Sequence, residues 1–302
     1  MQATRSDVYT RVTDAIVAEL EKGVRPWLKP WDAEHLAGRI MRPLRHNGEP
    51  YKGVNVLMLW MAAQARGFAS PFWMTFNQAR ALDACVRKGE RGSLVVYTDR
   101  LTCTETAEDG EETEREIPFM KGYTVFNADQ IDGLPGRFRE SPAPEPLDPT
   151  QRIEAADLYF ANTGADVCHG GNQAYYAEGT DHVQMPPFET FRDAEAYCAT
   201  LAHELTHWTK HPARLARDFG RKRFGDPGYA REELVAEIGA AFLCCDLGIA
   251  PEPREDHASY LAHWLAVLRE DKRAIFQAAS HAQRAVEYLH GLQPVDPPPE
   301  TA

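Results

Sequence analysis

His203-Glu204-Leu205-Thr206-His207 is the segment whose residue types and spacing carry the most chemistry. On a helix, residues four apart share a face, so both imidazoles can reach one metal ion. A glutamate directly after the first histidine is placed to bind a water on that metal and take its proton, an arrangement for metal-assisted hydrolysis. Leu201 and Leu205 give this segment a core-facing helical period.

Two histidines do not complete a catalytic site, which usually has three protein ligands and a water. Further along, Glu232-Glu-Leu-Val-Ala-Glu237 offers two carboxylates four apart, Glu233 and Glu237, on one helical face. Glu232 is turned about 100° away and is expected to face solvent. One of the facing pair would bind the metal, and the other would accept a hydrogen bond from a ligand histidine and fix its tautomer. Glu204 would serve as general base and then general acid. Tyr229, one turn before Glu233, is a candidate oxyanion donor, against the plainer reading of a tyrosine packed at a helix start. His211 precedes Pro212 at a helix end and reads as a surface residue, and His169 reads as an exposed loop histidine. Zinc is the expected ion, although manganese or another divalent cation also suits two histidines and one glutamate. A purely structural metal is the competing reading of the same residues.

These side chains need elements to hold them. A first C-terminal helix is expected over about 151–162, then an extended region including Ala174-Tyr-Tyr-Ala and His182-Val-Gln-Met. An edge strand there could receive a peptide by strand addition. Three helices follow, over about 190–210, 229–247 and 257–290, the last open to a break. Ser141-Pro-Ala-Pro-Glu-Pro-Leu-Asp-Pro149 is too proline-rich for helix or central strand. It sets the expected division: a domain over 1–135, a linker over 136–150, a second domain over 151–293, and a proline-rich tail over 294–302.

The N-terminal part reads as α+β. Val8, Val12, Ile16 and Leu20 mark an amphipathic helix stopped at Gly23. Helices over about 55–65 and 77–84 follow. Strands are expected over 92–98, as a pair within 102–118 around the acidic turn Asp109-Gly110, and over 123–126. The net charge of −12 is uneven: residues 1–140 hold 19 basic against 20 acidic residues, and residues 141–302 hold 14 against 25. The stretch from Glu105 to Glu116 contributes −6, leaving the rest of the first part at +5. No apolar run is long enough to span a bilayer, and the start of the chain has no signal-peptide core. The six cysteines form no C-x-x-C pair and read as reduced thiols of a cytoplasmic protein.

Aromatic, basic and amide residues interleave in that first part: Trp27, Trp31, Arg42, Arg45, Tyr51, Lys52, Asn55, Trp73, Gln78, Arg87, Lys88 and Arg91. Single-stranded nucleic acid calls for both kinds, with rings stacking on bases and cations following phosphates. The competing reading is a core of tryptophans with a solvated basic turn.

Tyr51-Lys-Gly-Val-Asn-Val-Leu, Trp73-Met-Thr-Phe-Asn-Gln78, Val86-Arg-Lys-Gly-Glu90 and Val125-Phe-Asn-Ala-Asp-Gln-Ile131 resemble the N-terminal domain of plasmid ArdC-type antirestriction proteins. Similar domains occur in TraC-type conjugative primases. His203-Glu-Leu-Thr-His-Trp-Thr209 together with Glu232–Glu237 resembles the zincin-like domain of the same proteins. The gluzincin pattern, with its ligand glutamate one turn before an acidic supporting residue, implies Glu233 as third ligand and Glu237 as support or alternative ligand. The family implies a two-domain α+β fold, a single-stranded-DNA-binding domain, a metallopeptidase-like domain, and protection of incoming conjugative DNA from host restriction. The alternative is a metallopeptidase acting on a host protein, with the N-terminal domain recognising that protein.

Overall fold

The computed structural model describes residues 7–27, 41–106, 112–138, 149–220, 226–249 and 258–294. The chain forms two compact units, one of residues 1–16 and 43–141, the other of residues 17–42 and 142–302. The division therefore differs from the single proline-rich boundary. Residues 17–42 group with the second unit, and Phe138 is buried in the first unit's core, beyond the expected end at 135. Most of the expected linker, the turn Asp109-Gly110, Trp31 and the tail beyond 294 lie outside the described residues.

In the first unit, α1 (Val8–Glu21) has Val12, Ile16 and Leu20 fully buried, and Gly23 follows with a positive φ of 77° that a left-handed stop requires. The division between the units falls inside this helix. β1 (Leu44–Arg45), α2 (Val54–Arg66), β2 (Phe72–Met74), α3 (Phe76–Ala81) and β3 (Cys85–Val86) follow. β4 (Ser93–Thr106) and β5 (Glu112–Asn127) form a long hairpin, paired from Ser93↔Val125 to Thr106↔Glu112. The expected separate strand over 123–126 is thus the second half of β5, because the ladder continues without a shift of register. The sheet order is β1-β2-β5-β4, and β6 (Ile131–Asp132) pairs with β3. Phe72, Met74, Ile131 and Phe138 are among the residues that fill a core beside this sheet.

The second unit contains α4 (Pro149–Asn162), β7 (Asp166–His169), β8 (Tyr175–Ala177), β9 (His182–Met185), α5 (Ala194–Trp208), α6 (Pro227–Leu247), α7 (Ala258–Glu270) and α8 (Ala274–Gly291). Its sheet order is β7-β9-β8, leaving β8 at an edge. The expected last helix is two, divided at residues 271–273. Asp193 caps α5 by accepting the Ala196 N–H at 2.8 Å, and Gly248 ends α6 in the left-handed region. α6 is buried almost all round, as expected of a helix at the centre of a helical layer. Cys198, Cys244 and Cys245 are free and buried.

α5 and α6 approach closely because position 239 is glycine. A Cβ there would lie 2.5 Å from Thr206 Cγ2 and 2.9 Å from its Oγ1. Gly239→Ala should therefore destabilise the protein by about 1–3 kcal/mol, with partial recovery when Thr206 is also changed to alanine. Thermal melts of the single and double variants check this; additive losses would remove the close approach as the cause.

Candidate metal centre

The five-residue motif lies on α5 within the core. His203, Glu204 and His207 are 3, 2 and 7% exposed. The two imidazole centroids are 4.8 Å apart. Glu233 on α6 faces the Nε2 atom of both rings: its Oε2 is 3.6 Å from His203 and its Oε1 is 3.4 Å from His207. One ligand atom from each of these three residues fits within 4.8 Å of the others, so the group can hold a metal ion. Burial pushes the Glu233 carboxyl up, but the adjacent His207 and His203 outweigh it and hold the group well below its ordinary value.

The outer nitrogens of both rings meet further carboxylates. His203 Nδ1 lies 3.4 Å from Glu237 Oε1, and His207 Nδ1 lies 3.0 Å from Glu232 Oε1. Such contacts fix the tautomer that turns Nε2 toward a metal. Glu237 thus lies beside the Nδ1 of His203, on the side away from Glu233. Glu232 does not face solvent: the rotation that turns it from Glu233 brings it against His207 and Arg217, because α6 is buried on that side also. Arg217 donates Nε to Glu232 Oε2 and Nη2 to Oε1, both at 2.8 Å. It also donates to the Thr206 carbonyl at 2.9 Å and to Thr209 Oγ1 at 3.1 Å, tying the loop after α5 to the motif helix. Nothing in the sequence marks Arg217, a loop arginine ten residues beyond the motif.

A cleft of about 910 Å³ opens on this centre, lined by Glu204, Tyr229, Tyr260, Tyr175 and Tyr176 among others. Tyr229 shares a hydroxyl contact of 3.0 Å with Tyr260. Burial, then the negative charge of Glu233, raises its phenol, so Tyr229 remains a neutral donor. His211 accepts the Ala213 N–H, and His169, at the end of β7, meets the Tyr197 hydroxyl; neither joins the group at His203.

The N-terminal candidates separate into structural and surface residues. Trp27 belongs to the second unit, is fully buried, packs edge-on to Trp264, and donates Nε1 to Glu237 Oε2 at 3.3 Å. Its indole is committed to these contacts and has no ring face to offer a base. Arg42 is held by Asp246 at 2.6 and 2.7 Å and lies over the Phe242 ring. Trp73 is 2% exposed, and Tyr51 is buried beneath Arg45. Asn55 pairs its amide with both backbone groups of Val96 on the sheet-edge strand β4, and Gln78 completes a capping box with Thr75. Arg87 is engaged by Glu90 and the Asp129 carbonyl. Arg45, Lys52, Arg87, Lys88 and Arg91 are exposed, and Trp31 lies outside the described residues. Tyr97 and Tyr123, outside the sequence candidates, are exposed rings on the hairpin.

Burial pushes Glu232 up, while Arg217 and His207 pull it down further, to about 2 from an ordinary 4.5. Because the folded value is below the unfolded one, the pair's contribution is complete above about pH 4.5 and is lost as pH falls toward 2. Glu232→Gln should cost about 3 kcal/mol at neutral pH by leaving Arg217 unpaired, and should flatten the decline in stability across that acid window. Urea unfolding of chelator-treated protein from pH 7 to pH 2 measures both; an unchanged acid limb would contradict the assignment.

Residues 6–126 match the N-terminal domain of anti-restriction factor ArdC, and residues 154–281 match a zincin-like metallopeptidase family. The crystal structure of the metal-free antirestriction ArdC protein from plasmid R388 superposes with a TM-score of 0.79 at 45% identity, covering 95% of this chain and 97% of that one. The Mn(II)-bound structure of that protein gives 0.76 at 44% identity, covering 95 and 98%. Protein y4eC of Sinorhizobium fredii is 46% identical over 96% of this chain and 94% of its own length. The DNA primase TraC of Escherichia coli is 35% identical over 96% of this chain, which spans only 27% of the primase. With both halves matched in order and nearly the full length shared, this chain belongs to the ArdC family of antirestriction proteins.

Proposed function

We propose that this protein binds incoming single-stranded plasmid DNA during conjugation and protects it from host restriction in the cytoplasm. Its N-terminal unit is the DNA-binding domain, and its C-terminal unit is a metal-dependent, peptidase-like domain. The observation that carries this reading is the end-to-end likeness to the R388 antirestriction ArdC, which spans both units. Among the described residues no helix is long and apolar enough to cross a membrane.

In the C-terminal unit, His203, His207 and Glu233 hold one divalent ion, with zinc or manganese both compatible with the donor set. The Mn(II)-bound R388 structure supports a divalent ion here. When bound, the ion supplies Lewis acidity to a carbonyl and to water. Glu204, buried at the wall of the cleft, takes the proton of the attacking water and returns it to the leaving amine. Tyr229 donates its neutral hydroxyl toward the oxygen that gains negative charge. Glu237 and Glu232 keep the histidines aimed, and the edge strand β8 receives an extended peptide along the cleft.

The test pairs two assays on wild type and Glu204→Ala: binding of a labelled single-stranded oligonucleotide, and survival of DNA conjugated into a restricting host. Both proteins should bind the oligonucleotide at low salt and release it as salt rises. Glu204→Ala should keep its metal and fold while any peptide hydrolysis falls by about 10²–10⁴-fold. Absence of wild-type binding at low salt would sink the DNA reading. Full protection by the variant would assign the metal a structural role.

A further inference from the structure

Tyr97 on β4 and Tyr123 on β5 are 48 and 39% exposed, unusual for rings within a paired ladder. The register pairs Tyr97 with Lys121 and Val95 with Tyr123, so the two rings are diagonal neighbours on one face of the hairpin. Toward the base of the hairpin the same face is buried at Ser93, Val95 and Val125; at the tyrosines it is open. The ring centroids are 6.2 Å apart at an interplanar angle of 82°. Lys121 Nζ stands 5.3 Å over the Tyr123 ring. Arg45 lies over Tyr51 and within 3.6 Å of Glu49, in an exposed pair, and its charge reaches the Tyr97 phenol. Asp99 accepts the Tyr97 hydroxyl at 2.7 Å, fixing the direction of that ring.

We infer that the face carrying Tyr97 and Tyr123, flanked by Lys121 and Arg45, is the platform on which single-stranded DNA docks. This rests on the DNA-binding reading above and assigns it to residues. Exposed rings on a sheet, with Lys121 over one of them and Arg45 within electrostatic reach of the other, match the two requirements of single-strand binding: ring faces for bases and positive charge for phosphates. A duplex keeps its bases paired and stacked, so it offers no base face to these rings without a cost in unstacking. The sequence-level candidates Trp27 and Trp73 are buried, whereas these tyrosines are accessible. Asp99, beside the rings, is engaged by the Tyr97 phenol.

The full chain is titrated against fluorescent oligo-dT, with unlabelled duplex as competitor, for wild type, Tyr97→Ala, Tyr123→Ala, the double variant and Lys121→Ala. Tyr97→Phe, Tyr123→Phe and Phe188→Ala serve as controls; Phe188 is equally exposed but lies in the other unit. Each alanine at a tyrosine should weaken binding about tenfold, the double variant more, and the phenylalanines little, because stacking uses the ring face. Lys121→Ala should lower the slope of log affinity against log salt by about one. Melting curves report whether each variant folds. In wild type, photocrosslinking to bromodeoxyuridine-substituted oligonucleotide should label the peptides containing Tyr97 or Tyr123, independent of any variant. Wild-type binding that survives in a folded double variant, or crosslinks confined to other peptides, would overturn the platform alone. No wild-type binding at all would overturn the DNA-binding reading and the platform with it.

Discussion

The close contact between α5 and α6 is the constraint on which the C-terminal unit depends. Without a side chain at Gly239, the helix bearing three glutamates settles against the helix bearing two histidines. That crossing turns one carboxylate toward both Nε2 atoms and gives each Nδ1 a carboxylate of its own. Burying three carboxylates in one helix would be prohibitive if they were unpaired. Here each meets an imidazole, and Arg217 and Trp27 satisfy further oxygens of Glu232 and Glu237. The arrangement is thus a charged cluster made tolerable by pairing, with one side left available to a cleft and to Glu204.

The first unit follows a different logic. Its tryptophans and amides largely serve the fold: Trp73 fills the interior, Asn55 seals the exposed edge of β4, and Gln78 starts a helix. The open chemistry sits instead on the hairpin, where strand alternation brings Tyr97 and Tyr123 to one surface. An exposed aromatic surface of this kind arises from strand register and is invisible in composition.

That contrast explains what the sequence made legible. The metal motif was readable because both histidines are local, one helical turn apart, and the Glu233–Glu237 pair repeats the same spacing. α1 is readable from its apolar period; α6, buried almost all round, has no such period, yet lies close to its expected span. Glu232 departs from its expected solvent position because a helical wheel gives angles but not what packs at each angle; α6 has no solvent side there. The burial of Trp27 is not legible locally because its partners, Glu237 and Trp264, are more than two hundred residues away. Arg217 carried no signal at all, since its role depends on how the loop after α5 returns to the helix.

The central claim is that Glu233, and not Glu237, completes the metal centre with His203 and His207. Manganese(II) titration followed by electron paramagnetic resonance tests it on wild type, Glu233→Gln and Glu237→Gln. Wild type should bind one ion per chain, Glu233→Gln should lose more than about a hundredfold in affinity, and Glu237→Gln should lose less, because it only supports a ligand. Wild-type affinity in Glu233→Gln, with binding abolished in Glu237→Gln, would contradict the account.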